Sequence, residues 1–212
     1  EIDSQVAGEA GLCTTVINTF TAKKVDLIMA NATGALQAAA NATLEIPILG
    51  TSITEYGVAL SLENFNGTVG GNISGTSDLA PLEEQAQMIL DLVPTAKTVG
   101  MLYCSAEPNS AYQYNVVSAY LQGKGMTVTE YKFSESTELQ NITTKAAGEC
   151  DAIYVPTDNT IASNAGIVDN VCRPAGIPVM GGDAENANYE GPGAVVLPGA
   201  EGNALWNLYV PD

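Results

Sequence analysis

Short apolar segments alternate with stretches of helical periodicity along most of this chain. The apolar segments are rich in Val, Ile and Leu, as buried strands are, and they lie at residues 25–30, 46–50, 98–104, 152–156, 178–181 and 194–197. The helical stretches lie at residues 9–23, 34–42, 81–92, 110–122, 136–148 and 160–175. Strands that alternate with helices form parallel sheets covered on both faces, so the pattern predicts an α/β fold.

The strand–helix series occurs twice, which predicts two lobes, residues 1–76 and residues 77–184. Residues 66–78 between them are rich in glycine but include apolar side chains, which favours a strand-like crossover over a flexible linker. We expect residues 185–212 to return toward the first lobe. Because several crossings make a hinge, the predicted architecture is two doubly wound parallel-sheet lobes joined by a multi-strand hinge.

Small polar side chains follow the predicted strands. These hydroxyls, amides and carboxylates lie within residues 31–34, 51–56, 105–110, 157–160 and 183–186. Ligands of open α/β sheets bind beyond the carboxyl ends of the strands, so the pattern predicts a binding crevice. The same residue types cap helix N-termini, and each segment also precedes a helix. Capping is therefore the alternative interpretation at any single position.

Charge and residue types argue against several functions. Lys and Arg total 7 against 24 Asp and Glu, a net charge of −17, which repels nucleic acid. The chain has no histidine, so it lacks the commonest general base and metal ligand. It also has no phosphate-binding glycine loop of the G-x-x-x-x-G-K-[ST] type. We therefore predict no catalytic residue, no metal and no cofactor, with glycoside chemistry at Asp78 and Asp158 as the enzymatic alternative.

The four cysteines are far apart in the sequence and have no metal-binding spacing: Cys13, Cys104, Cys150 and Cys172. Buried free thiols are one interpretation, since cysteine packs as a small apolar residue. A Cys150–Cys172 disulfide is the other.

Three segments resemble a known family. They are VDLIMANATGALQAAA at residues 25–40, GTSDL at 75–79 and YVPTDNTIAS at 154–163. Together they resemble the ABC transporter substrate-binding proteins of the type I periplasmic-binding-protein fold, in the group that includes tryptophan- and tyrosine-type receptors. The resemblance runs from about residue 1 to about residue 185.

This resemblance implies a non-enzymatic protein that closes two lobes on a small ligand and delivers it to a membrane permease. The implied ligand is an amino acid or a related molecule, often aromatic, and the implied location is extracytoplasmic, in the periplasm or on the cell surface as a lipoprotein. We expect a monomer. The implied ligand-binding positions are Thr33, Thr51, Ser52, Ser77, Asp78, Asn109, Ser110, Asp158, Asn159 and Asp183.

Physical chemistry suggests roles for some of these positions. The helix N-termini at Gly34 and Ser110 suit a ligand carboxylate, whereas Asp158 or Asp183 suits an ammonium group. Tyr56 and Tyr112 could stack on an aromatic or cationic group, and partly exposed surface tyrosines are the alternative.

Two departures from the family pattern lead to a further expectation. Relatives have an additional strand and helix before the region that matches Glu1, and they continue beyond Asp183 with another strand and a long helix. We therefore expect the first lobe to be incomplete both in residues 1–76 and in the part that residues 185–212 contribute. The alternative function is an effector-binding domain of a transcription regulator or a sensor domain of a chemoreceptor, which has the same fold.

Overall fold

The computed structural model describes residues 1–7, 10–183, 194–198 and 205–209. The chain forms two compact units, Glu1–Leu79 and Ala80–Asp212. None of the described helices is long and apolar enough to span a bilayer.

The first unit contains a three-stranded sheet. Its elements are α1 (Ala10–Lys23), β1 (Ile28–Asn31), α2 (Thr33–Ala42), β2 (Ile48–Ile53), α3 (Tyr56–Ala59) and β3 (Ile73–Ser77). The strands lie in the order β1-β2-β3, and both neighbouring pairs are parallel. The predicted crossover strand in residues 66–78 is therefore β3, paired within the first sheet.

One face of this first sheet is open. Buried and exposed residues alternate along β1 and through the first three residues of β2, and the register partners Met29 and Leu49 are 71% and 42% exposed. None of the described helices covers the face that carries Met29 and Leu49. Residues of α1 and α2 share one core cluster with the buried residues of β1 and β2, so both helices cover the same face.

The second unit contains a six-stranded sheet. Its elements are α4 (Leu82–Leu92), β4 (Thr98–Cys104), α5 (Pro108–Gly123), β5 (Thr127–Phe133), a 3₁₀ turn (Ser136–Glu138), α6 (Leu139–Glu149), β6 (Ala152–Val155), α7 (Asn159–Ala162), α8 (Ala165–Ala175), β7 (Val179–Gly181), β8 (Ala194–Pro198) and β9 (Leu205–Tyr209). The strand order is β5-β4-β6-β7-β9-β8. The first four of these strands are parallel, and β9 is antiparallel to both of its neighbours.

Helices cover both faces of this second sheet. Along β4, Met101 packs in a cluster with residues of α4 and α5, whereas Leu102 packs in a cluster with residues of α6 and α8. Every residue of β6 and β7 is buried. This is the two-sided burial expected of parallel strands connected by helices.

Three features of the second unit differ from the sequence predictions. The strand β5 was not predicted, because its polar residues interrupt the apolar run. The helix predicted at 160–175 is two helices, α7 and α8. The expected return of residues 185–212 to the first lobe also differs, since β9 pairs with β7 and satisfies backbone groups at that edge. The rest of residues 184–212 lies outside the described residues.

The four cysteines are free and buried. Three of them, Cys104, Cys150 and Cys172, belong to one apolar cluster. Burial raises the pKa of each of these thiols, to about 12 for Cys172. The free-thiol interpretation therefore fits this structure, and the disulfide interpretation does not.

Candidate functional site

The polar ends of β1 and β2 lie together in the first unit. The register pairs Asn31 with Thr51, and the Ala32 N–H donates to the Thr51 carbonyl at 2.9 Å. Thr33 is buried at the start of α2, Gly34 follows it, and Ser52 is exposed. The parallel register thus brings the predicted residues of these two strand ends to one edge of the sheet.

No side chain caps the N-terminus of α2. The residue before the helix is Ala32, whose φ of 77° lies in the left-handed region, and the first turn contains no acidic side chain. Capping, the alternative interpretation for Thr33, is therefore not what the structure shows. A helix end with this arrangement attracts negative charge.

Tyr56 is a structural residue in this unit. Its hydroxyl lies 3.1 Å from the Gly50 carbonyl oxygen and 3.3 Å from that of Thr76, between β2 and β3, and the side chain is buried. Burial, together with the negative charge of Asp78, raises the pKa of this phenol. The predicted stacking of Tyr56 on a ligand is not supported, because its ring is in the core.

Ser77 and Asp78 join the end of β3 to the end of β2 by hydrogen bonds. The Ser77 hydroxyl donates to the Thr54 carbonyl at 2.9 Å, and the Asp78 N–H donates to the Ile53 carbonyl at 3.1 Å. The Asp78 side chain is exposed at this point. Both residues therefore lie at the same strand ends as Thr51 and Ser52.

Asp158 is the central polar residue of the second unit. Its side chain is completely buried, and one carboxylate oxygen accepts hydrogen bonds from the Cys104 N–H and the Ser110 hydroxyl, each at 2.8 Å. The other oxygen accepts the Ile161 N–H at 2.9 Å, so Asp158 caps α7. Burial, followed by the negative charge of Glu107, raises the pKa of Asp158 to about 6. The capping interpretation is thus what the structure shows for this residue.

Glu107 is a second acceptor for the same short helix, and sequence reasoning did not select it as a site residue. Its carboxylate accepts the Asn159 N–H and side-chain amide, both at 3.0 Å. It also accepts the Thr160 N–H at 2.8 Å and the Thr160 hydroxyl at 2.7 Å. The amide donor of Asn159 is therefore engaged within the protein. The loop after β4 and the loop after β6 are held together by these bonds.

Asn109 and Ser110 lie on α5 and point their polar groups at the end of β6. The Asn109 amide donates to the Thr157 carbonyl at 2.7 Å, and both side chains are buried. One turn further along, Gln113 bonds the same residue, although sequence reasoning missed it. Its spacing of four residues from Asn109, which puts both on one helix face, was the available signal. Tyr112 packs partly buried against the core cluster that includes Met101.

Asp183 follows β7 and is partly exposed. Nearby, the buried Tyr154 hydroxyl donates to Gln85 Oε1, and Gln85 Nε2 donates to the Gly182 carbonyl at 3.3 Å. Burial and the charge of Asp183 raise the pKa of Tyr154. Sequence reasoning also missed Gln85 and Tyr154, which fix the backbone next to Asp183. A single Gln within an amphipathic helix gives little signal of such a role.

The described residues contain no cluster of three or more Cys, Asp and Glu side chains that could hold a metal ion. What the arrangement offers instead is a set of strand ends, each positioned by buried hydrogen bonds, in each of the two units. The assignment of the thirteen predicted ligand contacts remains a prediction, and the buried bonds of Tyr56, Ser110 and Asp158 give these three residues structural roles.

Known proteins are similar to this chain over most of its length. The family described as ABC transporter substrate binding protein matches residues 3–202. The tyrosine-binding protein of Clostridioides difficile (strain R20291) is 37% identical over 168 residues, which are 78% of this chain and 48% of that protein.

Two solved structures have closely similar folds. The Streptococcus pneumoniae ABC domain in complex with L-Trp is 32% identical with a TM-score of 0.80, over 85% of this chain and 61% of that one. A conserved domain protein from Vibrio cholerae is 27% identical with a TM-score of 0.82, over 88% of this chain and 63% of that one. The chain thus spans about half of its curated relative and about three fifths of these structures. These matches confirm the predicted α/β fold and the resemblance: the chain belongs to the ABC transporter substrate-binding protein family.

Proposed function

We propose that this chain is the ligand-binding part of an ABC importer's solute-binding protein and that its ligand is an amino acid with an aromatic side chain. The observation that carries the proposal is the similarity to a structure in complex with L-Trp, at 32% identity and a TM-score of 0.80. A relative named for tyrosine binding, at 37% identity, supports the same class of ligand. The family consists of ligand-binding transport proteins.

Partners and location follow from this function. The family is extracytoplasmic, and we propose a periplasmic protein or a cell-surface lipoprotein that delivers its ligand to a membrane permease. We expect a monomer. Closure of two lobes around the ligand remains a prediction from the family resemblance. The lobe boundaries at residues 76 and 184 also remain predictions.

The charges in the second unit favour a cationic group on the ligand. Carboxylates follow three neighbouring strands, at Glu107 after β4, at Asp158 after β6 and at Asp183 after β7. Residues 105–110, 156–160 and 182–183 contain no Lys or Arg. Of the two aspartates predicted to hold an ammonium, Asp183 fits better, because it is partly exposed whereas Asp158 is completely buried.

The first unit favours an anionic group at α2. This helix has no side-chain cap, whereas the Ser110 N–H at the start of α5 already donates to the Glu107 carbonyl at 3.1 Å. Of the two helix ends predicted to suit a ligand carboxylate, the one at Gly34 therefore suits it better.

Binding is tested by the thermal stability of the purified chain with L-tyrosine, L-tryptophan, L-isoleucine, D-ribose or adenosine, followed by calorimetric titration. A ligand at a hundredfold excess over its Kd adds about 2.7 kcal/mol to the apparent free energy of unfolding. We expect the two aromatic amino acids to raise the melting temperature most. A shift with ribose or adenosine alone, or with none of the five, would contradict the proposal.

A matched pair of variants tests the charge argument. Asp183→Asn removes a carboxylate at the proposed site and should weaken amino-acid binding by about tenfold or more, since hydrogen bonds to charged groups contribute about 1.5–3 kcal/mol. Asp91→Asn removes an exposed carboxylate near the end of α4 and should leave the affinity unchanged. Equal affinities for the two variants would exclude Asp183 from the site.

A further inference from the structure

The backbone of Thr157 is held by three side chains of one helix. Its N–H donates to Gln113 Oε1 at 3.0 Å. Its carbonyl oxygen accepts from Asn109 Nδ2 at 2.7 Å and from Gln113 Nε2 and the Ser110 hydroxyl, each at 3.4 Å. The three α5 side chains are buried. The Gln113 amide thus binds Thr157 as a neighbouring strand would, just beyond the end of β6.

The other side of this backbone is packed against the end of β7. A Cβ atom placed on Gly182 would lie 2.7 Å from the Thr157 nitrogen, closer than real Cβ atoms approach. The Gly182 N–H donates to the Val155 carbonyl at 2.6 Å, which extends the pairing of β6 with β7 beyond Gly181. Thr157 is therefore fixed between α5 and β7, and it cannot shift without disturbing both.

The side chain of Thr157 is not engaged in the same way. Other hydroxyls at the ends of β4 and β6 bond to the protein: Ser105 to the Phe133 carbonyl, Ser110 to Asp158 and Thr160 to Glu107. Among the residues that the structure describes, none accepts from or donates to the Thr157 hydroxyl. Thr157 is half-buried, so this hydroxyl belongs to a residue whose backbone is rigid and whose polar group is available.

We propose that Thr157 is a ligand-contact residue whose hydroxyl accepts a hydrogen bond from the ligand's ammonium group, and that Gln113 positions it. This inference rests on the proposed function and adds to it a contact that was not among the predicted site residues. Asn109 and Ser110, which were predicted as ligand contacts, then act through Thr157. Binding groups held rigidly before the ligand arrives lose little entropy on binding, which favours affinity.

The ammonium is the ligand group that fits the surroundings. Val155 of β6 pairs with Gly181 of β7. Two residues further along these two segments lie Thr157 and Asp183. Glu107 and Asp158 add negative charge to the same strand ends. A hydroxyl oxygen that accepts from a cation next to carboxylates forms a charge-assisted hydrogen bond, which is stronger than a neutral one.

The test measures the affinity of the chain for L-tyrosine and L-tryptophan by calorimetric titration. Thr157→Val keeps the shape of the side chain but removes the hydroxyl, and it should weaken binding by about tenfold or more, the loss expected for one hydrogen bond to a charged group. Thr157→Ser keeps the hydroxyl and should restore most of the affinity. Thr144→Val, on an exposed residue of α6, is the matched control and should bind as the unmutated chain does.

A double-mutant cycle separates positioning by Gln113 from a general loss of structure. Gln113→Leu should weaken binding when Thr157 is present but should have little further effect in the Thr157→Val background, because it acts through a hydroxyl that is then absent. Additive losses would show that Gln113 does not act through Thr157. Melting temperatures without ligand, measured on the same four proteins, show how much of each effect is loss of folded protein.

Analogues of tyrosine identify the group that Thr157 contacts. Tyramine retains the amine and lacks the carboxylate, so Thr157→Val should still weaken its binding. The deaminated analogue 3-(4-hydroxyphenyl)propionate should bind equally to both proteins. If L-tyrosine binds the unmutated chain and Thr157→Val with equal affinity, the inference is wrong while the proposed function stands. If neither tyrosine nor tryptophan binds the unmutated chain, the proposed function fails and the inference with it.

Discussion

The hydroxyl of Ser110 donates to Asp158 Oδ2 at 2.8 Å, and both side chains are completely buried. The same carboxylate accepts the backbone N–H groups of Cys104 and Ile161. One buried carboxylate therefore joins the end of β4, the start of α5 and the start of α7. These bonds place the loops that follow two neighbouring strands, so the shape of this edge depends on Asp158.

Asp158→Ala should lower the free energy of unfolding by about 3 kcal/mol or more, because it leaves buried donors without an acceptor. Chemical denaturation measures this loss. The matched control is Asp151→Ala, which removes an exposed carboxylate that also accepts two N–H groups, from Lys97 and Thr98. Its expected cost is about 1 kcal/mol, as for an ordinary capping residue. Equal losses in the two variants would show that burial of Asp158 adds nothing.

Stability should also depend on pH through Asp158. Its pKa is raised to about 6 in the folded chain by burial and by the charge of Glu107, whereas an unfolded aspartate titrates near its ordinary value of about 3.9. The folded state then binds the proton more tightly, so the stabilisation is complete below about pH 4 and is lost as the pH rises through about 6.

Asp158→Asn isolates this effect from the titration of the other carboxylates. As the pH rises from 4 to 6, the free energy of unfolding of the unmutated chain should fall by about 3 kcal/mol relative to that of this variant. Denaturation curves of both proteins at a series of pH values measure it. A difference that stays constant over this range would contradict the raised pKa.

Gly75→Ala should severely destabilise the first unit. A Cβ at this position would collide with the Gly50 carbonyl oxygen and with the Tyr56 hydroxyl, which lie against the Gly75 backbone. Because the Gly50 contact is with backbone, the two strands must separate, and we expect a loss of about 3 kcal/mol or more. Thermal unfolding followed by circular dichroism measures it.

The control for this variant is Gly148→Ala. Gly148 lies exposed within α6, and a Cβ atom placed on it would meet no described atom within 4 Å beyond its own stretch of helix. Alanine has the higher helix propensity, so this variant should gain about 0.5–1 kcal/mol. If Gly75→Ala were as stable as the unmutated chain, the close packing of β2 on β3 described above would be wrong.

Ser118→Ala should stabilise the chain. The Ser118 hydroxyl is buried in α5 and has no hydrogen-bond partner among the described residues. Removing an unsatisfied buried hydroxyl, with the better helix propensity of alanine, should raise the free energy of unfolding by about 1 kcal/mol. Denaturant titration checks this value, and a loss of stability instead would mean that the hydroxyl has a partner in solution.

Much of the fold could be predicted because its strands and helices have strong local patterns. The strand predicted at residues 98–104 is β4 with the same bounds, and the helix predicted at 81–92 is α4 to within a residue. The edge strand β5 was not predicted because polar residues separate its apolar ones, Val128, Tyr131 and Phe133. An edge strand is partly exposed, so it does not need the continuous apolar run that identifies a buried one.

The candidate site could be predicted only in part. The segments after the strands lie at one edge of each sheet, as predicted, since parallel strands bring their carboxyl ends together. Within them, the sequence did not distinguish Asp158, which is buried and bonded on both oxygens, from Asp183, which is partly exposed. It gave no sign that Gln113 and Gln85 bond the backbone at Thr157 and Gly182. These contacts join residues 44 and 97 positions apart, which no local pattern can show.

Periodicity was enough to predict an α/β chain, because the patterns of strands and helices depend on neighbouring residues alone. The tertiary structure decided which polar groups remain available. A hydroxyl or carboxylate near a strand end is open to a ligand only if no distant residue already bonds it, and packing brings those residues together. Asp158 is bonded in this way, and the hydroxyl of Thr157 is not bonded by any described residue.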